Sequence, residues 1–468
     1  MPHLPRTMSE EPVTTSTRTD VSLVAHLMRR AAFGAPAWKL EQLAERSYEG
    51  LVDELVSIDR YERPAEDLLE RFNLENADEE RYTWTAKRWY YRMINSPRLL
   101  EDKVALMWHN RFATAASKVS NARAMAVHIE MLRDNGMGNF KTLLQKLSRD
   151  PAMIWWLDQQ TNHNGEVNEN YGRELLELFS MGRGNYNEVD VRSAAEAFSG
   201  WTIDQTIPRY PNGWYDTNFV FREDDHDHQQ KHFLGDDGDF NGDDIIDRIV
   251  TQPAAARFVA TTLYRFFVAD EPDGEAIETL ADVYFQSNYE IGEMIRALLL
   301  SDYFKEARFK RVRWPVEHVV YLMNLTGQHT DPYERGLTTL TEKSASMGQE
   351  LLNPPTVEGW HIGREWIDSA FLIERVNFAT ERLADLGTPG VRRLVDRLKA
   401  HGPTLSAEAL LDAALYELGC IEVRESVRAT ILEELGESTV YDTASPEFDH
   451  DATRMFQFIA ASPDFQLA

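Results

Sequence analysis

A single cysteine, Cys420, serves a chain of 468 residues. One thiol excludes an intrachain disulfide and a cysteine-built zinc cluster. Its surroundings, LYELGCIEV, read as packed core rather than as the setting of a nucleophile. Basic residues are also scarce: 49 Lys and Arg stand against 77 Asp and Glu, a formal net charge of −28. Such acidity repels phosphate backbones and anionic lipid, so the composition argues against nonspecific binding to nucleic acid or to a membrane surface. No window reaches the roughly 18 apolar residues that a membrane span needs, and MPHLPRTMSEEPVTTSTRTD at the start has no apolar core of signal-peptide length. The expectation is a cytoplasmic chain. A P-loop, a nucleophile elbow, a dinucleotide fingerprint and HExxH are all missing.

What is there is helical periodicity. Apolar residues recur at three- and four-residue spacing over 21–33, 37–58, 65–95, 98–116 and 121–133, and again from 243 onward. FGAP at 33–36 and Asn95, Ser96 and Pro97 punctuate the early helices. Between 200 and 242 the pattern changes to Pro, Gly and Asn turns with short alternating runs such as TNFVFRE, which suits strands or ordered loops. The fold class expected is therefore mainly α, a large multi-helix body with one irregular, partly β insertion at about 200–242. Residues 1–20 are expected to be a disordered segment. Residues 21–468 would form a single domain, long enough for two helical lobes and for a core that hides polar groups.

Several separated stretches share one pattern: AHLMRRAAFGAP (25–36), DPAMIWWLDQQTN (150–162), NENYGRELLELFSMGRGNYNEVDVRSAAEAFSGW (168–201), the HD of DDHDHQQKHFLG, RWPVEHVV (313–320) and MGQELLNPPTVEGWHIGREWI (347–367). Together they resemble the large bacterial family called domain of unknown function 1800. The resemblance implies no established activity. It implies a partner protein of a sulfatase-like family often encoded beside this one, and it places His226, Asp227 and Lys231 on the family pattern.

The helix in NENYGRELLELFSMG carries the first constellation. At 100° per residue Tyr171, Leu175, Leu178 and Phe179 share one arc, while Arg173, Glu174 and Glu177 share the opposite side. Those three are expected to form a buried charge group, held by Asn168 or Asn170, that is either catalytic or a structural ion network; a solvated face is the bland alternative. Glu174 and Glu177 would also be half of a carboxylate metal site if a histidine came from another helix, and His109 in KVALMWHNRFATA is one source. A lone histidine in so apolar a helix equally suits the core.

The second constellation is DDHDHQQKH at 224–232, where His226 and His228 would share one face of a strand, with the chemistry to bind zinc or a similar ion. The third, DDGDFNGDDIID at 236–247, imitates the first half of a calcium loop but has Arg248 where the bidentate glutamate belongs. Trp201 and Trp360, each after a glycine, are core plugs or walls of a small-molecule pocket. The function expected is a metal-assisted hydrolase or related enzyme. In it Glu174, Glu177, His226 and His109 would hold or assist a divalent ion such as zinc or calcium, Asp227 would orient a ligand, and Arg173 or Lys231 would meet an anionic group. The alternative is a noncatalytic binding or assembly protein whose ion network fixes the fold.

Overall fold

Helix Leu99–Arg111 is buried along its whole length from Leu100 to His109, charged residues included. A helix polar in sequence yet buried all round needs internal partners for every charge. Here Arg133 donates to Asp102 at 2.9 Å and to Glu101 at 3.1 Å. The Lys103 ammonium pairs with Glu317 of helix Pro315–Thr326 at 2.5 Å, and Arg311 reaches the same carboxylate at 3.1 Å. Burial alone would raise the Glu317 carboxyl, but Arg311 and Lys103 hold it well below the usual range.

The computed structural model describes residues 19–64, 81–207, 215–332, 335–436 and 439–468. The architecture is mainly α, with three small two-stranded sheets. One connected set of buried apolar side chains runs from Val24 to Phe465. Local signals account for many helix starts: Asp20 accepts from the Ser22 amide at 3.1 Å, and Asn121, Asp150 and Asp368 cap the helices that follow them. The single helix expected over 37–58 is instead two, Ala37–Leu43 and Tyr48–Val56, because Ser47 turns out of the first and caps the second. Residues 1–18 of the expected disordered segment and 65–80 of an expected helix lie outside the described residues.

The 200–242 insertion is two hairpins. β1 (Trp201–Ile203) pairs antiparallel with β2 (Phe219–Phe221), and β3 (Lys231–Phe233) with β4 (Asp236–Gly238). The insertion packs on the helical body as its aromatics require: Trp201 is sandwiched edge-on by Phe198 and Phe219 with the Arg149 guanidinium 4.4 Å from its ring centre. Phe233 is buried, and the Leu234 amide donates to Asp190 of helix Glu188–Ala197 at 2.8 Å. Gly200, at φ +75°, permits this: a Cβ there would collide with the Arg222 carbonyl. Phe221 stays exposed, and Trp214 lies outside the described residues. The third sheet, β5 (Thr404–Ser406) with β6 (Val440–Asp442), closes the C-terminal helices.

Candidate functional site

The two asparagines at the start of the helix that begins at Asn170 are anchors. Asn168 accepts from the Asn170 amide at 3.0 Å and donates to the Thr161 hydroxyl at 2.9 Å, while the Asn170 amide group donates to the Leu157 carbonyl at 3.0 Å. Their side chains tie the helix start to the 157–162 turn instead of reaching Arg173 or the glutamates. The helix itself changes type: Asn170–Glu174 is α, and Leu175–Ser180 is a π-helix in which the Met181 amide bonds the Leu176 carbonyl, five residues back, at 3.0 Å. A π-helix needs roughly 4.4 residues per turn, so the 100° stepping fails after Glu174.

The expected buried group of Arg173, Glu174 and Glu177 is accordingly not formed. Arg173 turns outward, bidentate to Glu188 at 2.9 and 2.7 Å and bonded to Glu169 at 3.2 Å. Glu177 is bonded by Arg183 and by the Tyr186 hydroxyl, the latter at 2.8 Å, and these donors lower its carboxyl below the ordinary value. Glu174 makes no hydrogen bond or ion pair among the described residues. Partial burial, helped by the charges of Glu177 and Glu358, raises its carboxyl. Two glutamates three residues apart are thus pushed in opposite directions.

Glu177 and Met181 form one wall of a cleft of about 350 Å³. Opposite stands helix Pro253–Phe267, where four-residue spacing lines up Arg257, Thr261 and Arg265 on one face. The floor is Arg111, the last residue of helix 99–111. A narrow inner extension of about 30 Å³ shares Arg111, Thr262 and Arg265 and reaches Asp270, Trp314 and Ile362. Arg257 is neutralised by Glu278 at 2.6 Å, whereas Arg111 and Arg265 have no hydrogen-bonding or ion-pair partner among the described residues. The Nε of Arg111 is enclosed and unbonded, its guanidinium stands 5.3 Å from the Phe258 ring centre, and burial together with Arg265 pulls it down to about 10. Glu358 acts on Arg111 and Asp270 on Arg265 only at a distance, so in a chain of net charge −28 two guanidiniums without a directly bonded carboxylate are poised for an external anion.

The VEGW turn closes this region. Gly359, at φ +93°, lies so close to Asn110 that a Cβ would collide with both its carbonyl and its side-chain oxygen; the Asn110 Oδ1 accepts from the Trp360 amide at 2.7 Å. Trp360 is buried against His109, ring centres 5.2 Å apart, and it is Ile362 that borders the cleft. Trp201 is likewise core and lines neither space. His109 is fully buried; its Nε2 accepts from the Leu352 amide at 3.1 Å, and burial beside His128 keeps it well below its usual value. It is a core histidine with no carboxylate ligand partner.

The HD segment is built elsewhere. Residues 223–225 form a 3₁₀ turn and not a strand, and Asp225 pairs with His163 at 2.5 Å. The Asp227 amide donates to the Ser199 hydroxyl at 2.8 Å, and Lys231 is fully buried, donating to the carbonyls of Asp227 and Gln229 at 2.5 and 2.9 Å. Asp227 and Lys231 therefore shape a turn, and neither faces the cleft. The expected joint metal set of His226, His109, Glu174 and Glu177 is not assembled: among the described residues, the imidazoles and carboxylates close enough to share an ion are His226, His228 and Asp239. The calcium loop does not form either, since Asp236–Gly238 is a strand, Asn241 caps helix Gly242–Val250, and Asp243 is bonded by Arg149.

Sequence reasoning missed Arg111 and Arg265. The signals were present: Arg111 ends an apolar helix two residues after His109, and the 257–261–265 spacing is a helix face.

A mainly α chain with an arginine-rich cleft walled by a π-helix defines the class. A family model described as a protein of unknown function (DUF1800) matches residues 26–467, and the chain belongs to that family. No curated protein and no solved structure matches it. No helix among the described residues is long and apolar enough to cross a membrane.

Proposed function

We propose that the chain is a hydrolase or related enzyme acting on a small anionic substrate in the cleft between the π-helix and helix 253–267. The observation that carries this reading is the pair of oppositely shifted carboxylates on one helix, Glu174 raised and Glu177 lowered, of which Glu177 lines the cleft that also holds the Arg111 and Arg265 guanidiniums. Environments that push two carboxyl groups apart are how one site keeps a proton donor and an ionised group at the same pH. Glu174, three residues before the cleft-wall Glu177 and outside the lining itself, serves as the acid: water attacks the substrate ester, the bond to the leaving oxygen breaks, and Glu174 gives that oxygen its proton; Arg111 and Arg265 take the substrate's anionic group, with Arg111 able to do so bidentately. The divalent ion expected in the same centre has no place in this reading, because among the described residues no imidazole lines the cleft.

The test is a panel of p-nitrophenyl phosphate, sulfate and carboxylate esters, with inorganic phosphate and sulfate binding followed by thermal shift. Turnover of at least one ester is expected, falling about 10²- to 10⁴-fold in Glu174→Gln. The rate should fall as pH rises through the raised Glu174 value, since the acid form is then lost. Anion binding without turnover of any ester would put the noncatalytic binding reading in its place. Absence of anion binding would remove the cleft from consideration altogether.

A further inference from the structure

We infer that His226, His228 and Asp239 form a binding site for one divalent transition-metal ion of the zinc class, separate from the arginine cleft. The three residues offer ligand atoms that lie within 4.8 Å of one another. Two nitrogens or oxygens on a tetrahedral zinc sit about 3.3 Å apart, so the group must draw in by about 1.5 Å at most. Two of its members can supply that movement, because the His228 and Asp239 side chains are half exposed.

The third is fixed, and fixed the right way round. His226 is buried, and its Nδ1 lies 2.9 Å from the Ser199 carbonyl. A carbonyl only accepts, so Nδ1 carries the proton and Nε2 keeps its lone pair, with no hydrogen bond to it among the described residues. A backbone carbonyl that sets the imidazole tautomer is the usual outer support of a metal-ligating histidine. The neighbouring rings of His226 and His228 are 4.8 Å apart and nearly perpendicular. Asp239 is oriented as well: its Oδ1 faces the buried Lys231 ammonium at 3.6 Å, and its Oδ2 faces His228 Nδ1 at 3.9 Å. One carboxylate oxygen thus answers a fixed cation while the other is turned toward the imidazoles. Lys231 in turn bonds the carbonyls of the 227–229 turn that presents the two histidines.

The ligand set decides the metal. Two imidazoles with one carboxylate suit zinc, cobalt or nickel, whereas calcium and magnesium prefer oxygen throughout. Three protein ligands leave a fourth position to water. The ion would join the 226–228 turn to the segment just after β4, clasping the two sides of the second hairpin.

The experiment uses the full chain, stripped with EDTA and dialysed, titrated with Co²⁺ and followed by visible absorption, with Zn²⁺ added afterwards as competitor. One Co²⁺ per chain is expected, displaced by Zn²⁺ and not by Ca²⁺. His228→Ala and Asp239→Asn, both at half-exposed positions, should each weaken uptake by more than about tenfold. His232→Ala, which removes an exposed imidazole paired with Asp237, should leave it unchanged. Absence of saturable Co²⁺ uptake by the unaltered chain would overturn the site. So would uptake that His228→Ala and Asp239→Asn leave intact, or that His232→Ala removes equally.

Discussion

Arg111 should be a residue whose removal makes the protein more stable. Among the described residues its guanidinium has no hydrogen bond or ion pair, its Nε is enclosed, and its pKa is pulled down to about 10, chiefly by burial. At about 1.36 kcal/mol per pH unit, a drop of this size corresponds to about 3 kcal/mol spent on holding an uncompensated charge. The side chain lines the cleft and is partly exposed, so solvent screening cuts the figure, and about 1–2 kcal/mol is the expected gain. Arg111→Met keeps the length and the apolar contact with Phe258 while deleting the charge. In urea denaturation followed by far-ultraviolet circular dichroism, at low salt and without phosphate or sulfate, the midpoint should therefore rise. Adding inorganic phosphate should narrow or reverse the gap, because only the arginine form is stabilised by an anion bound to its native state. A destabilisation of more than about 1 kcal/mol in Arg111→Met would refute the reasoning, since it would mean that the guanidinium satisfies a structural need.

Two further outcomes test the interior. Glu317→Gln should destabilise by about 3–5 kcal/mol by stranding the buried Lys103 and Arg311, and adding Lys103→Met should recover part of the loss; a single change costing under about 1 kcal/mol in urea denaturation would contradict the network. Asp102 is raised by burial, against the pull of Arg133, from 3.8 to about 6. The folded chain then holds a proton that the unfolded chain releases in that interval, so the group's contribution to stability grows as pH falls from about 6 toward 3.8 and is lost as pH rises through it. Asp102→Asn should remove that slope, and a stability difference between the two proteins that stays constant across the interval would show the carboxyl to be unperturbed.

What the sequence determined by itself is the part governed by local periodicity and by chemistry between near neighbours. The mainly α class, the insertion at 200–242 with its short strands, and the breaks at FGAP and at Asn95–Pro97 follow from apolar spacing and from residues that punctuate helices locally. Long, separated motifs also sufficed for the family. The helix 168–182 shows its charges in the sequence, but not its faces: stepping by 100° assumes α geometry, and the π-helix at Leu175–Ser180 breaks that assumption. Partners decided the rest. Arg173 could not be seen to bond Glu188, nor Glu177 to bond Tyr186, because each charge took a neighbour that a helical wheel of this segment does not contain. His226 and His228 were legible as a pair, but their third companion, Asp239, arrives through the β3–β4 hairpin. The cleft shows the limit most clearly. Arg111, Glu177 and Arg265 come from three helices, and whether a guanidinium is paired or left open depends on which carboxylates the packed helices bring within about 4 Å, a condition that tertiary structure alone decides.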